Sequence, residues 1–200
     1  MKAIHLSMVM MIAGFLFSCN NEGNSTENKN VEKEGTTVST RQTSNETATT
    51  TNADNSNNPI NNILSTYLDI KNALAADNSQ DAANAGKAMH EALQNVDKSA
   101  MDAKQKAAFE EVEEDVNEHA EHINENKNNI KHQREHFDLL SQDMYDLVKA
   151  FGAGRTLYQA NCSMYNNNKG ASWLSESKDI KNPYYGDEML TCGTIEEEIK

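Results

Sequence analysis

The sequence lacks any apolar run long enough to cross a bilayer as a helix, which takes about 20 consecutive apolar residues. Its longest, MVMMIAGFLF from Met8 to Phe17, is too short. Positive charge is also scarce: 18 Lys and Arg stand against 31 Asp and Glu, a formal net charge of −13. That balance excludes nucleic acid as a partner and an electrostatic grip on anionic lipid. Catalytic signatures are missing too. There is no Gly-x-Ser-x-Gly elbow, no phosphate loop and no His-Glu-x-x-His. No Glu stands three residues before a histidine, as a carboxylate-bridged di-iron bundle requires. The expectation is that the chain is not an enzyme.

What is present begins with Lys2, the apolar run, and then Ser18-Cys19. One early positive charge, about ten apolar residues and a small residue make the layout of a signal peptide over 1–18. Phe-Leu-Phe-Ser-Cys resembles a lipobox, in which the cysteine carries a lipid after cleavage, so Cys19 is the expected lipidation site and membrane anchor. After Cys19 the chain to 58 is mostly Asn, Thr, Ser and Glu, with Val31, Val38, Ala48 and Ala53 as its apolar side chains and no aromatic. Such a segment cannot bury enough surface to offset its ordering entropy. It reads as a disordered tether with a root-mean-square span of about 35 Å.

Residues 59–200 suffice for one domain. Asn58-Pro59 is a helix start, followed by Ile60, Ile63, Leu64, Tyr67, Leu68 and Leu74 at helical spacing. A second helix is predicted from Ser79, with Ala82, Ala85, Gly86, Met89, Leu93 and Val96 inward and its small residues close to a neighbour. The third stripe is Phe109, Val112, Val116, His119 and Ile123. The fourth is Ile130, Gln133, Phe137, Leu140, Met144, Leu147 and Phe151. Steps of three and four place each stripe on one helix face. The expected fold is all-α, an up-down bundle of about four helices. The tail, 151–200, holds the only Trp, four of the six Tyr and two of the three Cys. It reads as irregular structure over one end of the bundle, with a short strand near Leu157.

With Cys19 lipidated, Cys162 and Cys192 remain, in an oxidising envelope, for a disulfide or for a metal. Cys162-Ser163-Met164 and Met189-Leu190-Thr191-Cys192 offer thiolates and thioethers, soft ligands that select Cu(I). Histidine could complete such a site: His119 and His122 share one helix and His132 and His136 the next, and antiparallel packing could bring the pairs together. Plainer roles stand beside these. His119 could be a core residue, His132 and His136 solvated, and Met164 and Met189 gap fillers. A Cys162–Cys192 disulfide would enclose about 31 residues and contribute about 3 to 4 kcal/mol in the chain-entropy model.

Three stretches, PINNILSTYLDIKNALAADN, IKHQREHFDLLSQDMYDLVKAFG and LYQANCSMYNNNKGASWLSESKDIKNPYYGDEMLTCG, resemble the bacterial domain of unknown function 3347. That family occurs in Bacteroidetes lipoproteins, and a similar domain is appended to adaptor proteins of heavy-metal efflux systems. The resemblance implies an envelope lipoprotein on the outer membrane, facing the periplasm or the surface, that handles copper as Cu(I). Its implied partners are heavy-metal efflux or other envelope proteins. The family tail carries Cys-Pro-Met, often with His before the Cys; here Ser163 and Asn161 stand in those places. The implied ligands are therefore Cys162, Met164, Met189 and Cys192, with nitrogen supplied by His136 or His122. The alternative is a disulfide-stapled helical module that binds another envelope protein and no metal.

Overall fold

The computed structural model describes residues 58–200, so the expected signal peptide, the expected lipidation site Cys19 and all but the last residue of the expected tether lie outside the described residues. Four helices come first: α1 (Asn61–Ala75), α2 (Ser79–Gln94), α3 (Ala103–Glu125) and α4 (Ile130–Phe151). Their ends follow local chemistry. Asn78 caps α2 by accepting from the Asp81 N–H, and Asn129 caps α4 by accepting from His132. Asp102 and Gln105 form a reciprocal capping box on α3, which satisfies backbone donors that the helix itself cannot reach. At Asn58-Pro59 the helix starts later than its sequence suggests. Asn58 and Asn61 close a turn first, and the Asn58 amide also donates to the Gly152 carbonyl at 2.9 Å, tying the domain's start to the end of α4.

Each helix packs on the next in chain order, as an up-down bundle requires, and the apolar stripes read from the sequence are its core. Val96, His119, Ile130 and Phe151 are the exceptions, each half-buried. The small residues of α2 serve a close approach. A Cβ on Gly86 would lie 2.8 Å from the Ala120 carbonyl oxygen of α3, nearer than side-chain carbons come to backbone. No described helix is long and apolar enough to cross a membrane.

The tail corrects the all-α expectation. It is a three-stranded antiparallel sheet of order β2-β1-β3, formed by β1 (Leu157–Cys162), β2 (Ala171–Ser175) and β3 (Thr194–Ile199). The strand expected near Leu157 is β1, but it pairs on both sides. A register shift between Gln159 and Ala160 moves the buried positions to Leu157, Ala160 and Cys162. That breaks the two-residue alternation by which strands are recognised. Between β1 and β2 the chain reverses through Tyr165–Asn168, where Asn166, Asn167 and Asn168 all have positive φ. Asparagine tolerates this conformation better than most residues.

The sheet fills a seam. α1 meets α4 more sparingly than the other neighbours meet, and β2 packs on α4 and touches α1. Trp173 and Leu174 of β2 are fully buried there. One hydrogen-bonded chain crosses the junction. The Leu174 N–H donates to the Tyr67 hydroxyl at 3.0 Å, Tyr67 lies 2.9 Å from Ser141 Oγ, and Ser141 donates to the Phe137 carbonyl at 2.7 Å. Since the Ser141 proton is committed to Phe137, Tyr67 donates to Ser141. Burial pushes the Tyr67 hydroxyl far above its usual pKa, so it stays a neutral donor.

Candidate metal centre

The end of the bundle where α3 turns into α4 is fixed by a buried amide. Gln133 sits on the apolar stripe of α4, fully enclosed. Its Nε2 donates to the Ser79 carbonyl at 2.9 Å and the Ile123 carbonyl at 2.8 Å, and its Oε1 accepts from Ser79 Oγ. It thus joins the start of α2, the end of α3 and the start of α4. Both amide N–H groups are engaged and Oε1 shares the Ser79 hydroxyl proton with the Lys127 carbonyl, so no polar atom of the side chain is left without a partner.

Histidines gather beside that joint. His119 and His122 lie in the last two turns of α3, and His132 and His136 in the first two of α4, so the short connection between antiparallel helices sets them face to face. One ring nitrogen from each of His122, His132 and His136 lies within 4.8 Å of the others, the one such grouping of His, Cys, Asp or Glu among the described residues. The His122 and His136 rings stack with centroids 4.1 Å apart, and His132 meets His136 edge-on at 4.6 Å. All three are half-buried.

A second layer stands behind them. His119 Nδ1 and His136 Nδ1 are 3.2 Å apart, and His119 Nε2 is 3.9 Å from an Asp143 carboxylate oxygen. A proton on His119 Nε2, facing Asp143, leaves His119 Nδ1 as acceptor. His136 then carries its proton on Nδ1 and keeps the Nε2 lone pair free, which is how outer carboxylates and histidines orient a metal ligand. Glu118 lies 3.8 Å from His122, and Glu135 lies 3.3 Å from His132, so the surroundings are acidic.

The electrostatics favour neutral imidazole. Burial, followed by the neighbouring His122, His119 and His132, pulls the His136 pKa down to about 4. Burial also lowers that of His119. Asp143 is pushed up to about 6, mainly by burial and then by Asp115 and Asp146. Neutral imidazole is the ligating form. The residues fit a four-coordinate ion after a small adjustment. Bonds of about 2.0–2.1 Å set neighbouring nitrogens about 2.9 Å apart in a square-planar site and about 3.4 Å apart in a tetrahedron, so in either geometry one ring must turn out of the stack for the lone pairs to converge.

Of the residues singled out in the sequence, His122 and His136 come together, and the two cysteine sulfurs do not join them. Cys162 and Cys192 form a disulfide with a Cα separation of 5.8 Å, which removes both thiolates from the ligand inventory. Met164 is 48% exposed and Met189 half-buried after a short turn at Gly186–Glu188. His132 belongs with the set, as its four-residue spacing from His136 indicated. The roles of His119 and Asp143 were missed. Asp143, seven residues beyond His136, shares its helix face, and that spacing was the available signal. Trp173 is buried edge-on to Tyr184.

No curated protein and no solved structure matches the chain. Residues 63–156, which cover the four helices except their first two residues, match the model of a family described as a protein of unknown function (DUF3347), the family that the sequence resembles.

Proposed function

We propose that this protein is an envelope lipoprotein, tethered through Cys19, that binds copper as Cu(II) at His122, His132 and His136 for metal homeostasis or efflux. The convergence of three ring nitrogens within 4.8 Å carries the reading. The depressed pKa of His136 and the carboxylates of Glu118 and Glu135 support it. The disulfide argues for the divalent ion: imidazole suits Cu(II) and Zn(II), and among divalent first-row ions nitrogen sites hold Cu(II) most tightly.

Titration of the oxidised protein with Cu(II) against a competing chelator tests this. One ion per chain is expected. Affinity should fall about 100-fold or more in His136→Ala or His132→Ala, about 3 kcal/mol for a lost ligand, and stay unchanged in Cys162→Ser. Failure to compete, or equal binding by the histidine variants, overturns the proposal. The disulfide favours a second reading, a stapled module that binds another envelope protein. That reading gains if copper binding fails while removal of the disulfide abolishes partner capture.

A further inference from the structure

On α4 the position two residues beyond His136 lies about 200° around the helix. There Asp138 opens into a groove of about 660 Å³ between α4 and the Tyr165–Asn168 turn, with Glu135, the neighbour of His132, on its rim. Its walls include Leu139, Tyr165 and Tyr185. Tyr165 stacks on the buried Tyr184 with centroids 4.4 Å apart and meets Tyr185 edge-on at 5.9 Å. Leu139, 47% exposed, is one of two exposed large apolar side chains among the described residues.

Among the described residues, two carboxylates lining this groove, Asp138 and Glu188, have no cation within ion-pair distance. Arg134 is occupied, donating to Asp77 at 2.6 Å and to the Leu74 and Pro183 carbonyls. Glu135 lies 4.0 Å from Lys131 and 3.3 Å from His132. Asp138 is half-buried, and burial raises its pKa against the opposing hydrogen bond of the Gln142 amide, so the one side-chain partner it has is neutral. It also lies at the junction with an adjoining groove lined by Ser141, Gln142, Tyr145 and Asp146. A half-enclosed carboxylate beside a tyrosine ring and an apolar side chain is complementary to a planar cation on an apolar arm. Guanidinium forks onto a carboxylate with two parallel N–H donors and stacks flat on aromatic rings, whereas ammonium pairs as a point charge and has no plane to stack.

We propose that this groove binds an alkylguanidinium group, with Asp138 as its counter-ion, Tyr165 as its stacking surface and Leu139 against its arm. The group could be the arginine side chain of a partner or a free guanidino compound. The chemistry is the same and the probes separate the sources. The site is independent of metal binding, so failure of one leaves the other standing.

The test is an amide-resolved NMR titration of the full-length protein at about 0.15 M salt, where diffuse attraction to its net charge of −13 is screened. The probes are n-butylguanidine, its neutral isostere N-butylurea, and the blocked tripeptide acetyl-Gly-Arg-Gly-amide. Saturable shifts are expected at Asp138, Leu139, Tyr165 and Tyr185 with the two cations. N-butylurea and the variant Asp138→Asn should each bind about tenfold more weakly or worse. Asp146→Asn removes the same charge next door and should leave binding unchanged. Tighter binding of the tripeptide assigns the site to a partner's arginine, and tighter binding of butylguanidine to a small solute. Equal shifts with butylurea, shifts scattered over the acidic surface, or equal loss in Asp146→Asn overturns the proposal, and the butylurea comparison needs no variant to fold.

Discussion

Tyr67→Phe removes one oxygen from the junction between bundle and sheet, and the cost follows from the direction of each hydrogen bond. The Tyr67 hydroxyl accepts from the Leu174 N–H and donates to Ser141 Oγ, and all three groups are buried. Phenylalanine keeps the ring stacked on Phe137, whose centroid is 5.2 Å away, so packing changes little. It deletes one net hydrogen bond, about 1 kcal/mol, and leaves the Leu174 N–H enclosed without an acceptor, a further 1 to 3 kcal/mol. The expected loss is about 2 to 4 kcal/mol, read as the shift in urea unfolding followed by far-UV circular dichroism. Ser141→Ala breaks the Tyr67–Ser141 bond from the other end, so the double variant should lose about 1 kcal/mol less than the sum of the singles. Exchange at the Leu174 amide should speed up in Tyr67→Phe and not in Ser141→Ala. A Tyr67→Phe loss below about 0.5 kcal/mol, within the range of ordinary surface substitutions, would refute the argument that this hydroxyl holds the sheet to the bundle.

Reducing the disulfide, or replacing Cys162 and Cys192 by Ser, should cost about 3 to 4 kcal/mol for a sequence separation of 30; a loss under 1 kcal/mol by denaturant titration would show that the tail stays folded on the bundle without it. The histidine cluster makes a pH prediction. A folded-state His136 pKa of about 4 against 6.5 for the unfolded chain means that the unfolded state binds more protons between those values, so His136 contributes stability that disappears as pH falls from 6.5 to 4. Asp143, raised to about 6 from 3.8, acts in the opposite sense, losing stability as pH rises from 4 to 6. The two offset in wild type, and His136→Gln removes only the first. The variant should therefore gain on wild type by about 1 kcal/mol between pH 7 and pH 4.5, discounted from the full shift because the ring remains partly in water. Paired urea titrations at the two pH values measure it, and a difference independent of pH would contradict the depressed His136 pKa.

The helices were legible because their burial repeats every three to four residues. Phe109, Val112, Val116 and Ile123 could be read as one face without knowing what they faced, and all are buried. The sheet was not legible for a comparable local reason. The register shift at Gln159 and Ala160 spoils the alternation of β1. The strands are short, and β3 is an acidic edge strand, Thr-Ile-Glu-Glu-Glu-Ile, whose pairing is decided by a partner more than 30 residues earlier. The sequence also left the two cysteines open between disulfide and metal, because spacing along a chain carries no information on whether two sulfurs meet.

The histidine site divides in the same way. The sequence by itself determined that His119 and His122 share one helix face and His132 and His136 another, because a helix repeats every 3.6 residues. It determined the export-like start, the acidic balance and the four apolar stripes for similarly local reasons. Only the tertiary structure decided that the two histidine pairs converge, since that depends on the helix crossing held by Gln133 between Ser79 and Ile123. The same packing decided that Cys162 and Cys192 join each other, on the sheet, while the nitrogens gather at the turn between α3 and α4. Distances between elements are set by packing across the core, and no periodicity within one element encodes them.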